Sequence, residues 1–191
     1  MVLISAFQVP VDADEPFVSG WERARDFLAA KQALTTAVLH RALRADADFR
    51  FVDVAQVDDP VVWREAVADP AFPGAGLPFK SHAALYEVIH EDGKPEGHGG
   101  VVLVNPFEVP ADDDIFVDGW TRAREALASQ RGYLGTRLHR SVGAADFRFV
   151  NVARWSSPLA FAKAVEQPEF RRIAAAMPFA SHPALYQPVG G

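Results

Sequence analysis

The sequence contains no cysteine among its 191 residues. Disulfide bonds, thiolate catalysis and cysteine-ligated zinc or iron–sulfur centres are therefore excluded, and the absence fits a cytoplasmic location. No apolar run approaches the ~18 residues that a membrane span needs, so no membrane partner is expected. The N-terminal residues 1–7 are apolar but lack a basic flank, which predicts a strand and not a signal peptide.

Positive charge is also scarce. The formal net charge is −6 and no basic stripe is present, so a nucleic-acid partner is not expected. The chain is 49% hydrophobic and 23% charged, which is ordinary for a soluble globular protein. Its length gives room for one large domain or two small ones.

Three motifs occur twice, at an offset of about 99 residues. They are Phe-Val-x-Gly-Trp at 17–21 and 116–120, Leu-His-Arg at 39–41 and 138–140, and Ser-His-x-Ala-Leu-Tyr at 81–86 and 181–186. Because the offset is nearly constant along the chain, a whole domain has been duplicated. The sequence therefore predicts domains at 1–91 and 101–191, joined by a polar, glycine-rich linker at 92–100.

The second copy predicts four strands and two helices, with strands at 101–109, 134–140, 147–155 and 182–189. Phe116, Trp120, Ala123 and Leu127 have the spacing of an amphipathic helix. A second helix begins near Pro158 and is interrupted at Pro168.

The resulting order, β-α-β-β-α-β, is that of the ferredoxin-like split unit, so the fold class is α+β. A sheet with helices on one face leaves its other face bare. We expect the two copies to pack sheet to sheet as a barrel within one chain, with a cavity between the sheets.

The strand predicted at 147–155 carries the polar residues of most interest. Phe149, Asn151, Ala153 and Trp155 share one face, which we expect to line this cavity, while the alternating valines lie under the helices. The first copy has Asp53 in place of Asn151, and valine at 57 in place of Trp155. An amide and an indole N–H are neutral donors suited to a flat, polar ligand. The alternative is a buried Asn bonded to backbone and a Trp that fills the core.

Histidines are candidate proton acceptors because their pKa lies near neutral pH. His139 and His182 are the candidates in the second copy, although both recur in the first, which favours structural roles. Other side chains predicted to share the cavity of the second copy are Asn105, Phe107, Arg137, Phe149 and Tyr186.

The segment Val-Asn-Val-Ala-Arg-Trp at 150–155, followed by a Ser/Pro helix start, resembles the antibiotic biosynthesis monooxygenase family of dimeric α+β barrels. Both halves fit the family pattern. The resemblance implies a cofactor-free oxygenase that oxidises an electron-rich phenol, such as an anthrone-type polyketide, to a quinone with O2. It places Asn151 and Trp155 in the cavity, as donors to the phenolate. It also places Phe161 where some members have tyrosine, and Arg171 near the position of a helix arginine.

The same family contains haem enzymes and isomerases. Its haem-degrading branch carries a Trp and a ligating His at about Ala164 and Ala174 of this sequence, which argues against haem degradation. Two alternatives remain open: a non-catalytic binding or accessory protein for a polyketide intermediate, and a haem-binding or cyclase-type member of the barrel superfamily. The expected partners are a small aromatic substrate and O2. The two copies would form an internal pseudo-dimer, which leaves room for further homodimerisation.

Overall fold

The computed structural model describes residues 1–94 and 99–189. The chain divides into two compact units, one built from Met1–Glu87 with the residues from Pro188 onward, and one from Val88–Gln187. Each unit has a sheet and helices of its own. The predicted α+β class is therefore confirmed.

The first unit contains an antiparallel sheet in the order β4-β1-β3-β2. Its elements are β1 (Val2–Gln8), α1 (Asp14–Ala30), β2 (Thr36–Ala42), β3 (Phe51–Gln56), α2 (Pro60–Ala68) and the first part of β4 (Lys80–Gly93). Helix α1 packs its apolar stripe on the sheet through Phe17 and Trp21, which contact Leu39 and Phe51. Phe17 stacks on Phe51 with their ring centroids 4.6 Å apart.

The second unit repeats this order. Its elements are β5 (Val101–Glu108), α3 (Asp113–Ala128), β6 (Tyr133–Ser141), β7 (Phe149–Trp155), α4 (Pro158–Val165), α5 (Pro168–Ala175), β8 (Ala180–Ser181) and β9 (Ala184–Pro188). Strand β7 lies between β5 and β6, and β8 and β9 flank the other edge of β5. Phe116 of α3 stacks on Phe149, as Phe17 does on Phe51 in the first unit.

Two predicted boundaries differ from the structure. The last strand divides into β8 and β9 around Pro183, because proline has no N–H to donate to the ladder. The predicted linker at 92–100 begins inside β4, which leaves the first unit after Glu87 and continues to Gly93 in the second. Residues 95–98 of that linker lie outside the described residues.

The end of β4 is fixed beside β6. The Lys94 N–H donates to the Leu134 carbonyl at 2.7 Å. Gly93 has a φ of +63°, and a Cβ there would lie 2.5 Å from that same carbonyl oxygen, so only glycine fits. In the part of the chain that the structure describes, no helix is long and apolar enough to cross a membrane.

Candidate active site

The second unit contains a cavity of about 430 Å³ between its sheet and its helices. Strands β5, β6 and β7 form the floor, and α3, α4 and α5 form the roof. The volume is in the range of small-molecule sites. Most of the lining is apolar, and its polar members are Asn105, Arg124, Tyr133, Thr136, Asn151, Trp155 and Ser181.

The position of the cavity corrects the sequence-based assignment of faces. Alternation along β7 is as predicted, but Asn151, Ala153 and Trp155 face the helices, and the valines face away from them. The expectation that the helices cover the valines is wrong, because the aromatic stripe of α3 packs on the Phe149 side. The cavity lies above Ala153, whose side chain is small, and below the roof helices. Two of these, α4 and α5, are separate helices because Pro168 begins the second one.

A row of polar side chains crosses the middle of the floor. Asn105 on β5 is the register partner of Asn151 on β7. The Thr136 hydroxyl donates to Asn151 Oδ1 at 2.7 Å and also lies 3.1 Å from the Val152 carbonyl. This bond holds the Asn151 amide so that Nδ2 remains a donor to the cavity. Asn105 Oδ1 is buried and has no hydrogen-bond partner among the described residues.

Trp155 provides a second donor farther along β7. Its side chain is fully buried, and its indole Nε1–H has no partner among the described residues. Tyr133 and Phe161 meet its ring edge to face, with centroids 5.4 and 5.5 Å away. An unpaired buried N–H costs about 1–3 kcal/mol. The indole of Trp155 is therefore a buried donor without a partner among the described residues, in a side chain that lines the cavity.

A third polar group lies at the same end of the cavity. The Tyr133 hydroxyl donates to Asp92 Oδ1 at 2.5 Å, and Arg124 Nη1 donates to Asp92 Oδ2 at 3.0 Å. Burial, together with this bond to Asp92, raises the pKa of Tyr133, so the phenol keeps its proton. Arg124 Nε is buried without a partner among the described residues.

The structure brings together part of the predicted set. Those that line the cavity are Asn105, Phe107, Asn151, Trp155 and Phe161. Phe149 lies on the same face but does not reach the cavity, because Phe116 of α3 covers it with a centroid separation of 4.3 Å.

His139, Arg137 and Tyr186 lie on the other face of the sheet. His139 is the register partner of Val150, and Arg137 that of Val152, so both point away from Asn151. The ring nitrogen Nδ1 of His139 is bonded to the Val150 carbonyl at 3.1 Å. Burial, with the Arg137 cation beside it, lowers the pKa of His139 to about 4. Tyr186 is buried on that face, opposite Val102.

His182 and Arg171 are also outside the lining. His182 Nε2 lies 3.0 Å from Glu108 Oε1, and its ring meets Phe147 edge to face. Arg171 is exposed on α5. Neither predicted histidine therefore reaches the cavity, since the described lining contains no histidine.

Sequence reasoning missed Thr136, Tyr133, Arg124 and Asp92. A signal existed for the first two, because the first copy has alanine at 37 and leucine at 34 in their places. These are apolar replacements like that of Trp155. Arg124 recurs in the first copy and carried no such signal. Asp92 lay in the predicted linker, where a carboxylate reads as solvated.

The donor set of the site is that of an organic-ligand pocket. In residues 1–94 and 99–189 no cluster of three or more His, Asp or Glu side chains is placed to hold a metal ion. The polar groups of the cavity are amides, an indole, hydroxyls and one guanidinium, which suit hydrogen bonding to an oxygen-bearing ring.

The sequence model of the family described as antibiotic biosynthesis monooxygenase matches residues 100–176. This segment contains α3, α4 and the three floor strands of the cavity. None of the curated proteins compared with the chain matches it.

Solved structures extend the similarity to nearly the whole chain. An anthrone oxidase-like protein is 15% identical, with 98% of this chain and 90% of that chain covered and a TM-score of 0.67. The heme-degrading enzyme LmHde from Listeria monocytogenes is also 15% identical, with 98% and 99% covered and a TM-score of 0.56. At this identity both similarities show the fold alone.

A third similarity covers one half of the chain. SnoaB, a cofactor-independent oxygenase from Streptomyces nogalater, is 28% identical over 49% of this chain and 97% of that chain, with a TM-score of 0.45.

Proposed function

Because residues 100–176 belong to the antibiotic biosynthesis monooxygenase family, we propose that the second unit is a monooxygenase that oxidises an electron-rich phenolic ring with O2. The substrate class is an aromatic polyketide of the anthrone type, and the reaction needs no cofactor. Asn151 and Trp155 are the catalytic donors, and Asn105, Phe107 and Phe161 contact the ring.

The observation that carries this proposal is the buried indole N–H of Trp155, which has no partner among the described residues and belongs to a side chain that lines the same cavity as Asn151. Two neutral donors fixed in an apolar cavity stabilise an oxyanion without the solvent reorganisation that water requires. A phenolate is such an oxyanion, and its formation makes the ring a reductant strong enough to react with O2. Loss of the proton from the substrate is therefore the step that these residues favour.

The overall reaction on an anthrone balances without an added reductant. The ring methylene becomes a carbonyl, so the substrate gives up two hydrogens and four electrons and gains one oxygen atom. The second oxygen atom of O2 leaves as water. The apolar walls contributed by Leu103, Leu127 and Phe170 exclude bulk water and strengthen the hydrogen bonds to the phenolate.

The test is oxygen uptake with anthrone, together with chromatographic detection of anthraquinone. We expect Trp155→Phe, which removes the N–H and keeps an aromatic ring, to lower kcat/KM about a hundredfold. Asn151→Ala should have an effect of similar size. Trp63→Phe in the first unit is the matched control and should leave the rate unchanged. Unchanged rates in both second-unit variants would contradict the assignment, and ligand affinity without turnover would indicate a binding protein instead.

A further inference from the structure

Ionisation of a phenol in the cavity requires a group that takes the proton, and the structure does not place His139 or His182 there. The titratable side chains in the described lining are Arg124 and Tyr133. Arginine keeps its proton at neutral pH and cannot act as a base. Tyr133 remains, and its hydroxyl is already hydrogen-bonded to a carboxylate.

We propose that Tyr133 and Asp92 form a proton relay that carries the phenolic proton of the substrate out of the cavity. This inference rests on the proposed function, because it names the proton acceptor for the same site. The proton on the substrate oxygen moves to Tyr133 Oη as the Tyr133 proton moves to Asp92 Oδ1. The substrate becomes a phenolate, Asp92 becomes a carboxylic acid, and Tyr133 ends with one proton, as it began.

The structure places the acceptor within reach of the hydroxyl and partly open to solvent. Asp92 Oδ1 is 2.5 Å from the Tyr133 hydroxyl, and Oδ2 is held by Arg124 Nη1 at 3.0 Å, with His90 Nε2 at 3.5 Å. The side chain of Asp92 is 24% exposed, whereas Trp155 beside Tyr133 is fully buried. The relay therefore connects a dry site to a group that exchanges protons with solvent.

Arg124 and His90 are the side chains that approach Asp92 beside Tyr133. Arg124 reaches Asp92 from α3, and its Nη2 also lies 3.8 Å from Glu125. His90 approaches from β4 and packs edge to face on Trp120 of α3. Burial keeps Tyr133 protonated. Its hydroxyl therefore passes a proton on and does not act as a phenolate base.

Trp155, the proposed hydrogen-bond donor, is adjacent to Tyr133, the proposed proton acceptor. Tyr133 and Trp155 are register partners on adjacent strands, and their rings are in contact. Both side chains also line the cavity, so in the proposed relay the phenol oxygen of the substrate lies between the Trp155 indole and the Tyr133 hydroxyl. After the transfer, Tyr133 and Trp155 are both donors to the phenolate.

The experiment measures the ionisation of a bound phenol without turnover. The probe is 1-naphthol under nitrogen, whose absorption shifts to longer wavelength when it ionises. In the wild type, bound naphthol should ionise at a lower pH than naphthol in solution. Tyr133→Phe and Asp92→Asn should each remove that difference, and both should lower kcat about a hundredfold at pH 7 with anthrone and O2. The rate of both variants should recover as the pH rises and solution phenolate becomes available.

Asp113→Asn is the matched control, because Asp113 is also paired with an arginine, Arg148, with Arg148 Nη2 2.6 Å from its Oδ2, and does not line the cavity. It should leave both readouts unchanged. If Tyr133→Phe and Asp92→Asn ionise bound naphthol as the wild type does, the relay is refuted even if anthrone is oxidised. If the wild type ionises naphthol and both variants do not, but no oxygen is consumed, the relay is supported and the proposed function fails.

Discussion

The equivalent position on the central strand carries a different side chain in each unit. In the second unit Asn151 lies under a cavity, with Thr136 fixing its amide. In the first unit its counterpart, Asp53, is 5% exposed, and burial raises its pKa to about 7 against the opposing effect of the Trp21 hydrogen bond. One unit has an amide at this position on the floor of a cavity, and the other buries a carboxyl group there.

The neighbouring positions explain why the first unit can fill the space. Val57 stands in place of Trp155, and it packs in an apolar cluster with Leu3, Ala55 and Trp63. Leu34 replaces Tyr133 in the same cluster. In the first unit these positions are apolar, and the indole of Trp63 packs in the same cluster. The two copies therefore differ in the residues at the positions that line the cavity of the second unit.

The largest effect is expected when the cavity floor of the second unit is given the residues of the first unit. Asn151→Asp with Trp155→Val removes both neutral donors, so we expect turnover of anthrone to fall by at least about a thousandfold. Oxygen uptake measures the loss. The single exchange Asp53→Asn in the first unit should leave turnover unchanged, and equal effects of the two exchanges would refute the division of roles.

The second test concerns the buried carboxyl of the first unit. The pKa of Asp53 is about 7 in the folded chain and about 3.9 in the unfolded chain. Its contribution to stability is therefore fully present below about pH 4 and is lost as the pH rises to about 7. Between pH 5 and pH 8 we expect wild type to lose roughly 3 kcal/mol relative to Asp53→Asn.

Urea unfolding at those two pH values measures this difference. The exposed residue Asp58 provides the control, since Asp58→Asn should show no such change between pH 5 and pH 8. A constant difference between wild type and Asp53→Asn would show that Asp53 ionises normally in the folded protein.

A smaller effect of pH on stability is expected from a buried histidine that occurs in both units. His40 and His139 are both buried, and burial lowers the pKa of each. For His139 the folded value is about 4 and the unfolded value about 6.5. Its contribution is thus present above pH 6.5 and is lost as the pH falls towards 4.

From pH 7 to pH 5 the wild type should lose roughly 2 kcal/mol relative to His139→Asn, whose amide can still donate to the Val150 carbonyl. Urea unfolding at both pH values is the measurement. Turnover at pH 7 should be unchanged. A lost activity with normal stability would return the histidine to the list of catalytic candidates.

Much of the fold was predictable because the chain contains its pattern twice. The helix stripe through Phe116 and Trp120, the break at Pro168 and the alternation along β7 all follow from local residue chemistry. Alternation identifies which side chains share a face but not which layer covers that face. Both faces of β7 are rich in apolar residues, so local residue chemistry does not predict that the cavity lies under the helices.

The site was predictable only where the two copies differ. Asn105, Asn151 and Trp155 were found because each has an apolar or charged replacement in the first copy, and the structure places all three around one cavity. His139 and His182 were chosen by residue type alone, and the strand register directs them elsewhere. Asp92 required knowledge of where β4 ends, which depends on contacts with β6 that no local pattern encodes.

The length of β4 has a consequence for how this protein could be divided. A fragment cut at the repeat boundary, residue 101, would carry the cavity but would leave His90 and Asp92 behind. Arg124 and Tyr133 would then lose the acid that joins them. A fragment that keeps these contacts would begin at Val88, where the second unit begins, so the boundary of the sequence repeat is not the boundary of the structural unit.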